Sequence, residues 1–216
     1  MKTLTKYLLA GTTLLSGGCH LESVDRPYHL RGGLEAQYYD IKEIKTDFET
    51  PNVSDRFNLG IYCGADRKVY QSENQRLSLG LDLRFNTDTF SGDNRSKSSG
   101  DYGDCVEWGD VSFVRQGVLT PIPFIGYEAK INKNLKLNLE IGMPYTRWHV
   151  ETGRTSVTCF DDVLDEEEDT WGKRIRFGLS GTGNHLAIEG VFLNYETYST
   201  SHLDVDVLSI QVTAGF

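Results

Sequence analysis

The last twelve residues, Val205 to Phe216, limit most sharply what this chain can become. Leu208, Ile210, Val212, Ala214 and Phe216 occupy every second position, and Val207, Ser209, Gln211, Thr213 and Gly215 fall between them. A period of two belongs to a β-strand, whose side chains point alternately to opposite faces. The apolar face runs to an aromatic final residue with no polar tail, whereas the ends of soluble domains usually fray into water.

The same alternation returns along the chain. Leu30 to Tyr39, Phe57 to Ala65, Leu77 to Asn86, Leu119 to Ile131, Leu135 to Tyr145, Arg174 to Ser180 and His185 to Tyr198 each read as strands. With the closing strand they make about eight. Asn132–Asn134 makes a tight turn between the fourth and fifth. Pro121 and Pro123 weaken the fourth, because each removes a ladder donor. The connections alternate in length, long after strands one, three and five and shorter after two, four and six.

Two barrels fit such a pattern: a soluble lipocalin-like one with its apolar face inward, binding a small apolar ligand, and a membrane barrel turned inside out. The polar face bears on the choice. It carries Arg31, Glu35, Asp82, Arg84, Glu128, Lys130, Lys136, Glu140, Arg174, Arg176 and Glu189, with frequent glycines. Nearly balanced charges with little room around them suit a narrow packed interior, where each charge needs a partner. The mean hydropathy of -0.39 does not exclude a membrane protein, because membrane barrels alternate apolar and polar residues. No stretch after the first residues has the ~20 apolar residues of a spanning helix.

The closing strand with its terminal Phe216, the alternation and the uneven connections resemble the small bacterial outer-membrane β-barrels of the OmpA and OmpX type. The resemblance is architectural and rests on no family-specific motif. It implies an all-β, eight-stranded antiparallel up-and-down transmembrane barrel in the cell outer membrane, in contact with its lipid. It also implies that Phe216 is part of the signal read by the barrel-insertion machinery. Eight strands leave room for side chains only, so bulk porin activity is not expected.

On this reading residues 1–18 are a signal peptide, with Lys2 and Lys6, the apolar run Leu8 to Leu15 and the small Ser16, Gly17 and Gly18. Residues 19–29 form a periplasmic linker and 30–216 the barrel, with long external loops near 40–55, 87–110 and 151–171. Cys19 follows the small residues as in a lipobox, although Ser16 stands where Leu is usual. Acylation of Cys19 and ordinary secretory cleavage both remain open. Cys105 and Cys159 fall in two of the long loops, in an oxidising compartment, and a disulfide between them is expected. Cys63, on an apolar face, reads as a small hydrophobe.

The net charge of -9 and pI near 5.0 argue against nucleic acid as a partner. Asp161, Asp162 and Asp165 to Asp169 form an acidic run without the spacing of a calcium loop; it reads as a solvated face open to an external partner. No catalytic, cofactor or metal site is assigned. A lipid A-modifying enzyme is the further alternative, with Ser201, His202 and Asp204, or His149 and Glu151, as weak candidates, since adjacent strand residues face opposite ways. Tyr145, Trp148, Phe192, Tyr195 and Tyr198 are expected in an aromatic belt. The leading expectation is a non-enzymatic envelope or surface-interaction protein.

Overall fold

A computed structural model describes residues 28–45, 56–86, 91–92, 107–156, 160–181 and 189–215. The signal segment, Cys19, Cys105, Cys159, Phe216 and the first residues of the seventh expected strand lie outside the described residues. The strands are β1 (Tyr28–Ile44), β2 (Arg56–Gln71), β3 (Gln75–Asn86), β4 (Ser91–Gly92), β5 (Glu107–Gln116) and β6 (Leu119–Lys130). They continue as β7 (Leu135–Gly142), β8 (Tyr145–Ser156), β9 (Phe160–Trp171), β10 (Lys173–Gly181), β11 (Gly190–Ser199) and β12 (Leu203–Gly215).

Eight of them close an antiparallel barrel in the order β1-β12-β11-β10-β7-β6-β3-β2. The seam is the expected one: β12 pairs with β1 from Arg31↔Gly215 to Ile44↔Leu203. Closure leaves the barrel no free edge. Pro121 and Pro123 are tolerated in β6 because its ladder to β7 begins only at Phe124↔Gly142, so both prolines stand beside a break.

The connections expected as loops near 87–110 and 151–171 are partly strand. β4, β5, β8 and β9 form a second sheet that prolongs the β6, β7 and β10 side of the barrel. Likewise β1 extends to Ile44, into the loop expected near 40–55, and begins at Tyr28, inside the expected linker. The acidic run had the composition of a loop, but on β9 Asp169 lies opposite Arg147 and Glu167 opposite His149. Arg147 opposite Asp169 offsets part of the like-charge penalty along this strand, while Glu151 stands opposite Asp165.

Burial shows which way the barrel faces. In β12, Ser209, Gln211 and Thr213 are buried while Leu208, Ile210 and Val212 are exposed. Above Val207 the relation reverses: Leu203, Val205 and Val207 are buried, and Asp204 and Asp206 point out. β1 reverses at the paired level, with Tyr38 exposed, Tyr39 buried and Ile41 packed inward. The parity of the strand does not change; the chemistry on each parity does. The two strands thus have an inverted lower part, dry outside and polar inside, and an upper part with the ordinary apolar interior.

The inverted zone on β1, Tyr28 to Tyr38, rises roughly 25 Å at a tilt of about 40°, which matches the apolar band of a membrane barrel. Exposed aromatics mark its margins: Tyr38, Phe57, Phe85, Trp171 and Tyr195 above, Tyr28, Tyr70 and Tyr127 below. Tyr195 belongs to the expected belt, and Tyr145 is half-buried on the outer face. Trp148, Phe192 and Tyr198 do not belong to it, being buried inside. Trp148 and Tyr198 sit above the reversal in the upper core, where their rings meet edge-on at 5.3 Å. The soluble alternative, with an apolar interior at the level of the apolar strand faces, does not survive this arrangement.

Candidate functional site: a sealed lumen beneath an extended wall

The lumen is filled by charge. Four arginines, Arg31, Arg84, Arg174 and Arg176, and four carboxylates, Glu35, Asp82, Glu140 and Glu196, are buried inside it. In the lower group Arg31 donates to Asp82 through Nε at 3.1 Å and Nη2 at 3.0 Å, and to Glu140 Oε2 at 3.0 Å. Arg174 Nη2 reaches Asp82 at 3.0 Å and Arg176 Nη1 reaches Glu140 at 3.1 Å. Arg176 also lies over the Phe192 ring at 3.7 Å.

In the upper group Arg84 grips Glu196 with both terminal nitrogens, at 2.7 and 3.0 Å, and Tyr198 donates to the same carboxylate at 2.5 Å. Glu35 accepts from Ser209 and from Asn194 at 3.2 Å. Three arginines to two carboxylates below, and one to two above, make the lumen neutral as a whole. This is the packing that an interior too narrow for a water column demands.

Two glycines make that packing fit. A Cβ on Gly80 would lie 2.2 Å from the Phe124 ring, and one on Gly178 would lie 2.4 Å from the Phe192 ring. Each bulky lumenal side chain lies over a position where the adjacent strand has none.

At the short-turn mouth His29 bridges Asp66 at 3.0 Å and Glu189 at 3.1 Å, and Arg76 also holds Asp66. Lys136 pairs with Glu128 at 3.0 Å. The polar-face residues read from sequence therefore divide into lumenal ones and rim ones. Glu196, Asp66 and Asn194 were missed. The signal for Asn194 and Glu196 was present in the alternation of Phe192, Asn194 and Glu196 against Val191, Leu193 and Tyr195.

At the opposite end the strands of the wall are separated from those of the barrel by short interruptions at Gly117, Pro144 and Gly172. Gly117 N donates to Arg147 O at 2.6 Å and Gly172 N to Pro144 O at 2.8 Å. Its inner face packs Val114, Trp148 and Val150 against Tyr39, Tyr198, Leu203, Val205 and Val207. This core caps the charged lumen from above. Glu168 fastens β9 to the β11–β12 turn, accepting from His202 N at 3.3 Å and lying 3.2 Å from its Nδ1. Asp165, Glu166, Glu167 and Asp169 remain exposed on β9. The Arg147 guanidinium, donating from Nε at 2.9 Å, holds the Asp169 carboxyl below the usual carboxylate range.

The enzyme candidates are not assembled. Among the described residues no hydrogen bond joins Ser201 to His202, which turns to Glu168, while Asp204 accepts from Ser199 at 2.6 Å and from Lys45 at 2.8 Å. His149 lies 3.7 Å from both Glu151 and Asp165, too far for a directed hydrogen bond. Cys63 is a free thiol exposed on the lipid-facing side.

No protein-family model matches the sequence, and no curated protein is similar to it. Among solved structures, Neisserial surface protein A is 10% identical over 88% of this chain and 98% of its own, with a TM-score of 0.50. Ail, the attachment invasion locus protein of Yersinia pestis, is 10% identical over 88% of this chain and 97% of its own, at 0.44. The outer membrane enzyme PagL is 13% identical over 84% of this chain and 97% of its own, at 0.41. The inverted burial and the eight-stranded closure, shared as a fold with Neisserial surface protein A, make this chain a small outer-membrane β-barrel.

Proposed function

We propose that this barrel is a non-enzymatic surface-interaction protein, oriented with its short turns in the periplasm and its prolonged wall outside the cell. The observation that carries the proposal is the wall itself: a strand-built platform, fastened to the barrel rim, whose β9 displays Asp165, Glu166, Glu167 and Asp169 to solvent. A neutral, filled lumen supports a binding role over transport. Charge complementarity points to a cationic partner, with attraction that weakens as salt rises.

The test is binding of a lysine-rich polypeptide to intact cells carrying the protein, compared with cells carrying Asp165→Asn, Glu167→Gln and Asp169→Asn together. Loss of binding in the triple variant is expected. Equal binding, or cleavage of the wall only by protease admitted to the periplasm, overturns the proposal.

Three sequence expectations join it as proposals. Phe216 serves insertion, so its deletion should lower the fraction of heat-modifiable, folded protein in membranes while leaving the binding of molecules that do insert unchanged. Cys105 and Cys159 form a disulfide, read as a gain of two hydrogen atoms in mass when a thiol reductant opens it. Cys19, if acylated, adds lipid mass to the mature chain.

A further inference from the structure

β9 is a terminal strand of the wall: the sheet runs β4-β5-β8-β9, and β9 pairs with β8 alone. On its far side the β11–β12 turn reaches only its lower end, where His202 N donates to Glu168 at 3.3 Å and Thr170 Oγ1 to Ser199 O at 3.4 Å. Above Glu168, among the described residues, no strand pairs with the outer edge of β9. In an edge strand every second residue turns its N–H and C=O away from the sheet. Those groups are a template for one more strand.

The register narrows the template. Thr152 faces Leu164 and Gly153 faces Asp162, so Val163 is an extra residue that breaks the edge into 160–162 and 164–167. Along the second piece Asp165 and Glu167 stand on the outer face and Glu166 on the opposite parity, all exposed, while Leu164 packs against the apolar core. Against β9 of a second copy, these carboxylates would meet one another, and directly opposed like charges destabilise a pair of strands. A segment with Lys or Arg at every second position would instead set its charges beside Asp165 and Glu167.

We propose that residues 164–167 accept an extended cationic segment of the external partner as a further strand of the wall, held by backbone hydrogen bonds and read through basic side chains at alternate positions. This rests on the cationic partner proposed above and adds how that partner is held. Charge attraction alone requires no particular backbone; strand addition requires free amides. The bulge at Val163 and the anchor at Glu168 set the ends of the added ladder.

Two peptides of alternating lysine and threonine test it, one with free backbone amides and one N-methylated at every residue, which keeps the charge and removes each backbone donor. Titrated into the folded chain in neutral detergent at low salt, the methylated peptide should bind about tenfold more weakly. The free peptide should also slow hydrogen exchange at the backbone amides of 164–167. Heat-modifiable gel mobility confirms that the chain is folded. Equal binding of the two peptides, or unchanged exchange at 164–167 with the free peptide bound, overturns strand addition and leaves the cationic-partner reading standing. Binding of neither peptide overturns both.

Discussion

Asp82→Asn is the sharpest test of the sealed lumen, because it removes one charge and almost no volume. Asp82 accepts from Arg31 Nε and Nη2 at 3.1 and 3.0 Å and from Arg174 Nη2 at 3.0 Å, with its side chain about 1% exposed. After the substitution Glu140 alone faces Arg31, Arg174 and Arg176. Breaking a buried ion pair by removing one partner costs about 3 to 5 kcal/mol, a large share of the 5 to about 15 kcal/mol that holds an ordinary protein folded.

The assay is urea unfolding of the protein inserted in lipid vesicles, followed by tryptophan fluorescence and by gel mobility. The cycle with Arg174→Gln should be strongly non-additive, the double variant recovering more than half of the loss because the charge excess returns to its original value. A cost below about 1 kcal/mol for Asp82→Asn, with additive effects in the cycle, would refute the reasoning: it would mean that these charges are solvated and that the lumen holds a water column. Planar-bilayer recordings give the second reading, since a packed lumen passes no steady current.

The position of the membrane boundary predicts that Leu193→Arg, on the outer face of β11 between Val191 and Tyr195, costs about 2 to 4 kcal/mol in vesicles. Ser201→Arg, exposed on the turn above the boundary, should shift stability by less than about 0.5 kcal/mol. Gly178→Ala, which would place a Cβ 2.4 Å from both the Phe192 ring and Val191 O, should lower stability by about 1 to 3 kcal/mol in the same unfolding assay. Lys45 and Ser199 hold the Asp204 carboxyl below its ordinary range. A depressed carboxylate contributes stability above its unfolded value, about 3.9, and loses that contribution as pH falls through its folded value. The gap in urea midpoint between the unaltered chain and Asp204→Asn should therefore shrink as pH is lowered from 6 to 3; a gap independent of pH would contradict the assignment.

The eight barrel strands, their antiparallel order and the seam between β1 and β12 follow from a period of two and from connection lengths, both local properties of the chain. The balance of charge on the polar face was legible too, although Glu196 escaped because Leu186, Ile188 and Phe192 make its parity look like the apolar face, whereas β11 turns Phe192, Asn194 and Glu196 to the lumen and Val191, Leu193 and Tyr195 outward. Two adjacent apolar residues, Val207 and Leu208, and the doublet Tyr38 and Tyr39 carried the signal for the membrane boundary. They mark where the apolar residues move from one parity to the other.

What the residues could not decide alone was which parity faces the lumen, because alternation is identical in a barrel and in the same barrel turned inside out. Closure of the sheet decided it by placing Arg31, Asp82, Glu140, Arg174 and Arg176 within reach of one another. The prolonged wall was hidden for a related reason. The run Asp165 to Asp169 has the composition of a solvated loop, and only the pairing of β9 with Arg147 and His149 of β8 makes it a strand. Local sequence sets the period of each element. Which neighbour neutralises a charge is a long-range fact, and it is that fact which turned an acidic stretch into a platform and a polar face into a plug.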